Sequence, residues 1–156
     1  MVPALVLVLI TLGLYWPALD HEFIDLDDGP YIYQNPNIKN GLTLSGLKWA
    51  FTQLNTEETY WHPVTWIGHM INSEFFGLNP AGHHLMSILW HALDSVLLYG
   101  LLLRLRQPLW GAILISGLFA WHPIQVDSVA WAAELKSQLA ASFLRPPPGY
   151  FRFEII

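Results

Sequence analysis

The chain contains no cysteine. Disulfides, thiolate metal sites and cysteine nucleophiles are therefore excluded. Charge is scarce too: 12% of the 156 residues are charged, about half the roughly 25% usual in soluble globular domains. Basic residues are the scarcer sign, with seven Lys and Arg against twelve Asp and Glu, which excludes a basic nucleic-acid binder. The phosphate-cradling Walker loop, the Gly-x-Ser-x-Gly elbow and the His-Glu-x-x-His zinc helix are absent from the sequence. What is abundant is apolar. Hydrophobic residues make up 53% and aromatics 14%, with eight tryptophans. That content excludes a disordered chain, and the length allows one domain at most. Composition therefore points to a membrane protein.

The arrangement of the apolar residues supports this. Val2 to Leu19 form an uncharged run of about 27 Å as a helix, close to a hydrocarbon core of about 30 Å. A cleaved signal peptide is the competing reading. No Lys or Arg precedes the run and no small-x-small site follows it, while Tyr15 and Trp16 suit an interfacial anchor. A second run covers Gly82 to Leu103, a third about Leu105 to Trp121, and a partial fourth Ser128 to Leu144. The expected fold is an all-α polytopic transmembrane bundle occupying residues 1–144. Its spans fall at about 2–19, 82–103, 105–121 and 128–144, with an outer loop over 20–81. Residues 145–156 form an irregular tail, because Pro146-Pro147-Pro148 cannot continue a helix.

The loop 20–81 holds eight acids against Lys39 and Lys48, whereas the short connection after the second run holds Arg104 and Arg106. The positive-inside rule places that connection in the cytoplasm and the loop on the periplasmic or luminal side, in a bacterial inner membrane or the ER membrane. Within the loop, Thr43 or Ser45 can cap a short helix through Phe51. Pro63 to Phe76 reads as an amphipathic helix lying on the membrane surface, with Val64, Ile67, Met70 and Ile71 on its apolar side and Gly77 as its stop. Asn79-Pro80 is a cap-plus-proline start for the second span. Trp-His-Pro occurs at 61–63 and again at 121–123, too little to define a repeat. Trp49, Trp61 and Trp66 read as interfacial anchors or as sugar-stacking platforms.

Several residues could carry chemistry. In Asp25-Leu26-Asp27-Asp28-Gly29, adjacent carboxylates repel, so one can be poised for proton abstraction. The same pair offers hard oxygen ligands to a divalent cation, although the spacing is not that of an EF-hand. The structural alternative is a solvated turn with an Asp capping the next helix. On the second span His84, Ser87, His91 and Asp94 fall at i, i+3, i+7 and i+10, one helical face. They wall a polar site or glue helices together. Zinc at His83 and His84 is disfavoured, because adjacent helical residues point about 100° apart. If a helix starts at Asp127, then Asp127, Trp131, Glu134 and Gln138 share a face and Lys136 points away. An acidic face there could bind a sugar hydroxyl, and Lys136 a lipid phosphate. Capping or snorkelling is the structural alternative.

Taken in order, several segments resemble the first outer loop of GT-C-type glycosyltransferases. They are Phe23-Ile24-Asp25-Leu26-Asp27-Asp28 through Asn35-Pro36, Gly41-Leu42-Thr43 through Trp49-Ala50-Phe51, Trp61-His62-Pro63-Val64-Thr65-Trp66, and Phe76-Gly77-Leu78-Asn79-Pro80-Ala81-Gly82-His83-His84. His122-Pro123 through Val126-Asp127-Ser128-Val129-Ala130-Trp131 and Glu134-x-Lys136 extend the likeness. The nearest branch is the protein O-mannosyltransferase-like membrane proteins that carry tetratricopeptide repeats. The resemblance covers about residues 10–143. It implies an enzyme that moves a sugar from a polyprenyl- or dolichyl-phosphate donor to a protein Ser or Thr hydroxyl on the outer face. It makes Asp27 and Asp28 the catalytic motif, with Asp27 the first choice of general base. It also implies a donor site lined by His62, His84, Asp127, Glu134 and Lys136.

Members of that family have many more spans, and Asp127 stands where Glu is expected. The expectation is therefore an N-terminal portion that needs further spans to turn over. The contrasting expectation is a non-catalytic membrane module that acts in helix packing and tolerates changes at Asp27 and Asp28.

Overall fold

The computed structural model describes residues 2–52 and 61–143. Glu57, Glu58, Leu144 and the tail 145–156 lie outside the described residues. Among the described residues the fold is all-helical, with no strand. Helix α1 spans Val2–Tyr15 and continues as a tighter 3₁₀ turn over Trp16–Asp20. Pro17 supplies the reason, since it lacks an N–H and clashes with an α-helical carbonyl. Four short elements follow: a wide helical turn over Gly29–Tyr33, α2 (Pro36–Lys39), α3 (Leu44–Thr52) and α4 (Pro63–Phe76). Then come α5 (Pro80–Arg104), α6 (Leu109–Trp121), α7 (Val126–Ala130) and α8 (Leu135–Phe143).

Local chemistry explains most of these ends. The Asn35 and Asn79 side chains accept hydrogen bonds from Asn37 and Ala81 N–H, capping α2 and α5. The Thr43 hydroxyl accepts from Gly46 N–H and begins α3. Helix α4 starts at Pro63 and stops at Gly77, whose φ of 60° favours glycine.

Two segments, Val2–Asp20 and Pro80–Arg104, are long and apolar enough to cross a membrane. Helix α5 would be about 37 Å long, enough to span with some tilt. A third crossing is reached only if α6 and Pro123–Ala130 count as one span bent by 47°. The third run therefore differs from expectation. It begins at Leu109 rather than Leu105, because Arg106 adopts a positive φ of 57° and Pro108 precedes the helix. At 13 residues it covers about 20 Å, short of a hydrocarbon core.

Helix α5 is the centre of the molecule. Helices α1, α6 and α8 pack along it, and α4 crosses its start. Tyr15, Ala18, Ile88 and Val129 form one apolar cluster, and Leu7, Tyr99 and Ala112 another. The largest cluster lies in the segment between α1 and α5, where Ile32, Ile38, Trp66 and Met70 are wholly buried with Ala50, and Ala133 from beyond α7 joins it. Burial of each large side chain contributes about 1.5–3 kcal/mol, so this segment is a folded layer. On helix α4, Met70 and Ile67 from the expected apolar side pack against this cluster. Trp66, His69, Met70 and Ser73 face the protein, while Val64 is exposed.

Candidate functional site

The polar residues meet where the loop after α1, the start of α4, the start of α5 and the α7–α8 junction converge. Asp28 is wholly buried. Its Oδ2 accepts from Ile24 N–H and its Oδ1 from Ala133 N–H, both at 2.8 Å. It does not cap the following turn. Burial pushes its carboxyl pKa up, and the two backbone N–H groups and nearby His84 oppose that shift. Asp25 accepts from the Tyr33 hydroxyl at 2.8 Å. Asp27 is exposed, and its carboxylate makes no hydrogen bond to the described residues.

Facing it is the α7–α8 junction, which overturns the expected continuous fourth helix. Trp131 is extended, with φ −101° and ψ 116°. A short 3₁₀ turn over Ala132–Glu134 follows before α8 begins. The expected shared face of Asp127, Trp131, Glu134 and Gln138 is thereby dissolved. Gln138 is buried and donates to the Ser128 carbonyl. Asp127 is exposed and makes no hydrogen bond or ion pair to the described residues. Lys136, expected to point away from Glu134, instead pairs with it at 2.9 Å. The Lys136 ammonium also lies 5.3 Å from the Tyr31 ring centroid, within cation–π range.

Partial burial works against the charge of each member of this pair. For Glu134, burial is outweighed by the Ser137 hydroxyl and the Lys136 ammonium, and its carboxyl ends below the usual range. For Lys136, burial is outweighed by Glu134, with help from Tyr31 and Asp27, and its ammonium is held above the usual range. Both residues therefore stay charged, and the field of Asp27 reaches the ammonium.

Aromatic rings form the wall beneath. His62 stacks on Tyr31 at 5.3 Å and lies 4.6 Å from the Trp66 ring. Trp49 backs Trp66 at 5.1 Å. Burial, then the nearby Lys136 charge, depresses the His62 pKa. His69 is wholly buried and both its nitrogens lack partners among the described residues. Burial above all depresses its pKa to about 3, so it is neutral at ordinary pH. His84 is buried, with its ring against Phe23 and His21. Its nitrogens face the His21–Glu22 backbone without reaching hydrogen-bond geometry.

The α5 stripe divides between site and scaffold. His84 sits beside Asp28. Deeper, His91 Nε2 lies 2.9 Å from the Ala120 carbonyl. That carbonyl only accepts, so Nε2 carries the proton and ties α5 to α6. Asp94 accepts from the Ser142 hydroxyl and ties α5 to α8.

The structure thus brings Asp27, Asp28, His62, His84, Glu134 and Lys136 together and leaves Asp127 outside. Among the described residues, no group of three or more His, Asp or Glu side chains is arranged to hold a metal ion. Both Asp28 oxygens already accept backbone N–H groups. Tyr31 and His69 complete the site without standing among the candidates, and Trp66, expected as an interfacial anchor or a sugar-stacking platform, is wholly buried beneath it. Trp66 and His69 stand four and seven residues after His62, a helical spacing that marks them as one face of α4. Tyr31 carries no such signal. No family model, curated protein or solved structure matches the chain, so the glycosyltransferase resemblance rests on its sequence segments.

Proposed function

We propose that this chain carries the acceptor-activating site of an integral-membrane glycosyltransferase of the GT-C type. In this reading α1, α5 and the bent α6–α7 pair are spans of a polytopic bundle, and the site lies on the periplasmic or luminal face. The observation that carries the proposal is Asp27, an exposed carboxylate with no hydrogen-bond partner among the described residues, set within the field of the paired Lys136. A general base needs an accessible lone pair within reach of the proton it takes. A phosphate-linked donor needs a fixed cation.

The acceptor Ser or Thr hydroxyl gives its proton to Asp27. Its oxygen forms a bond to the anomeric carbon of the sugar. The bond from that carbon to the donor phosphate breaks, and its electron pair stays on the departing polyprenyl or dolichyl phosphate. Lys136 stabilises the charge on that phosphate. Glu134 holds the ammonium in place, and the Tyr31 ring lies within cation–π range of it.

The test is transfer from a polyprenyl-phosphate sugar to a Ser- or Thr-containing peptide by the protein in lipid nanodiscs. Asp27→Asn should lower the rate by about 10²–10⁴-fold, the range for a general base, and Lys136→Ala should weaken donor binding. Unaltered transfer by Asp27→Asn rejects the assignment. No donor binding at all, with both substitutions tolerated, favours a non-catalytic packing module. That reading draws on His91 and Asp94, whose hydrogen bonds join helices.

A further inference from the structure

We propose that Asp28 is a positioning residue, whose buried carboxylate latches the loop after α1 to the α7–α8 junction and so sets Glu134 and Lys136 against Asp27 and Tyr31. The chemical consequence rests on the glycosyltransferase reading, whereas the latch itself does not.

Three observations carry it. First, exposure separates the two acids: Asp28 is 0% accessible and Asp27 beside it is exposed. A carboxylate that no substrate hydroxyl can reach cannot take its proton directly. Second, the two Asp28 oxygens accept from backbone groups far apart in the chain, Ile24 and Ala133. Third, the Ala133 N–H needs an outside acceptor. Trp131 is extended, so the helical ladder is interrupted and cannot supply one. A charged acceptor gives a stronger hydrogen bond than a neutral one. Glu134 follows Ala133 directly and Lys136 lies three residues on. Whatever holds Ala133 therefore holds the ion pair and the ammonium over Tyr31.

The test uses the full chain in lipid nanodiscs and does not depend on sugar transfer. Deuterium uptake is followed in segments 22–26 and 131–137. Acetylation by N-hydroxysuccinimidyl acetate is followed at the three lysines, Lys39, Lys48 and Lys136. In the wild type, 131–137 should exchange slowly, and Lys136 should react more slowly than the exposed Lys39 and Lys48. Asp28→Leu fills the space without an acceptor. It should speed uptake in 131–137 at least tenfold and raise Lys136 acetylation to the level of Lys39.

Asp28→Asn keeps one acceptor oxygen and turns an amide group toward the other N–H. It should speed uptake in only one of the two segments. Wild-type behaviour of Asp28→Leu overturns the latch, since packing alone then suffices. If the Leu variant does not fold, wild-type uptake in both segments of Asp28→Asn overturns it equally. Asp27→Asn should leave both segments unchanged. Loss of transfer in Asp27→Asn speaks to the function, and uptake in the Asp28 variants speaks to the latch, so each can fail without the other.

Discussion

Adjacent identical side chains can have opposite surroundings, and Asp27 and Asp28 are such a pair. The carboxylates themselves are legible as a pair in the sequence. Their division is not, because it depends on an N–H from Ala133, 105 residues away. His69 is a second residue whose state only its surroundings decide. Burial, with His83, His62 and Lys136 nearby, holds its folded-state pKa at about 3, below the unfolded value of about 6.5. A depressed base stabilises the fold fully above its unfolded pKa. That contribution is lost as pH falls from about 6.5 toward about 3. Between pH 7.5 and pH 5 the loss from His69 is on the order of 2 kcal/mol. Burial depresses His62 too, which works in the same direction. Asp28 is raised, so its linkage has the opposite sign and weakens the fold as pH rises through the carboxylate range. Thermal melts in detergent should show the wild-type midpoint falling over this interval and a flatter profile for His69→Phe. Equal slopes for the two proteins would remove His69 as the cause.

At the scale of elements, local rules explain starts and stops better than interruptions. The Asn79 cap, the Thr43 cap and the Gly77 stop are each written within a few residues of the helix they define. The break at Trp131 is not, since residues 128–144 read as continuous helix and a distant side chain satisfies the interruption. The junction between α4 and α5 gives a further prediction. A Cβ on Gly82 would collide with the Cβ and ring of Phe76, which cannot swing clear as a flexible tip would. Gly82→Ala should therefore destabilise the protein by about 1–3 kcal/mol, as overpacking does. Gly100, on the same helix, has open space around its missing Cβ. Gly100→Ala should be neutral or stabilising by up to about 1 kcal/mol through helix propensity. Thermal midpoints of the two variants compare these effects directly, and a Gly82→Ala midpoint at or above wild type would contradict the close packing.

For the whole molecule, polarity is arranged inside out relative to a soluble protein. Leu5 and Leu9 on α1, and Trp110, Leu114 and Leu118 on α6, are exposed, while His84, Ser87, His91 and Asp94 are buried on α5. That arrangement suits a lipid surround, in which polar groups turn toward the helix bundle. The absence of cysteine makes orientation directly measurable. Asn40→Cys, in the acidic loop, should react with a membrane-impermeant maleimide from the periplasmic or luminal side. Gln107→Cys, beside Arg104 and Arg106, should react only from the cytoplasmic side. Labelling of both from one side would break the topology on which the outer-face site depends.

The sequence by itself determined the helical class, the apolar segments and the helix caps, because these depend on composition, hydrophobic runs and hydrogen bonds spanning two or three residues. It also carried the acidic pair and the His, Glu and Lys positions as candidates. Tertiary structure decided which of them meet. It broke the fourth helix and turned Lys136 onto Tyr31 and Glu134. It left Asp127 in the open and split the α5 stripe between site and scaffold. The physical reason is distance along the chain. The Asp28–Ala133 bond and the packing of Lys136 on Tyr31 join groups more than a hundred residues apart, and no local spacing rule reaches that far.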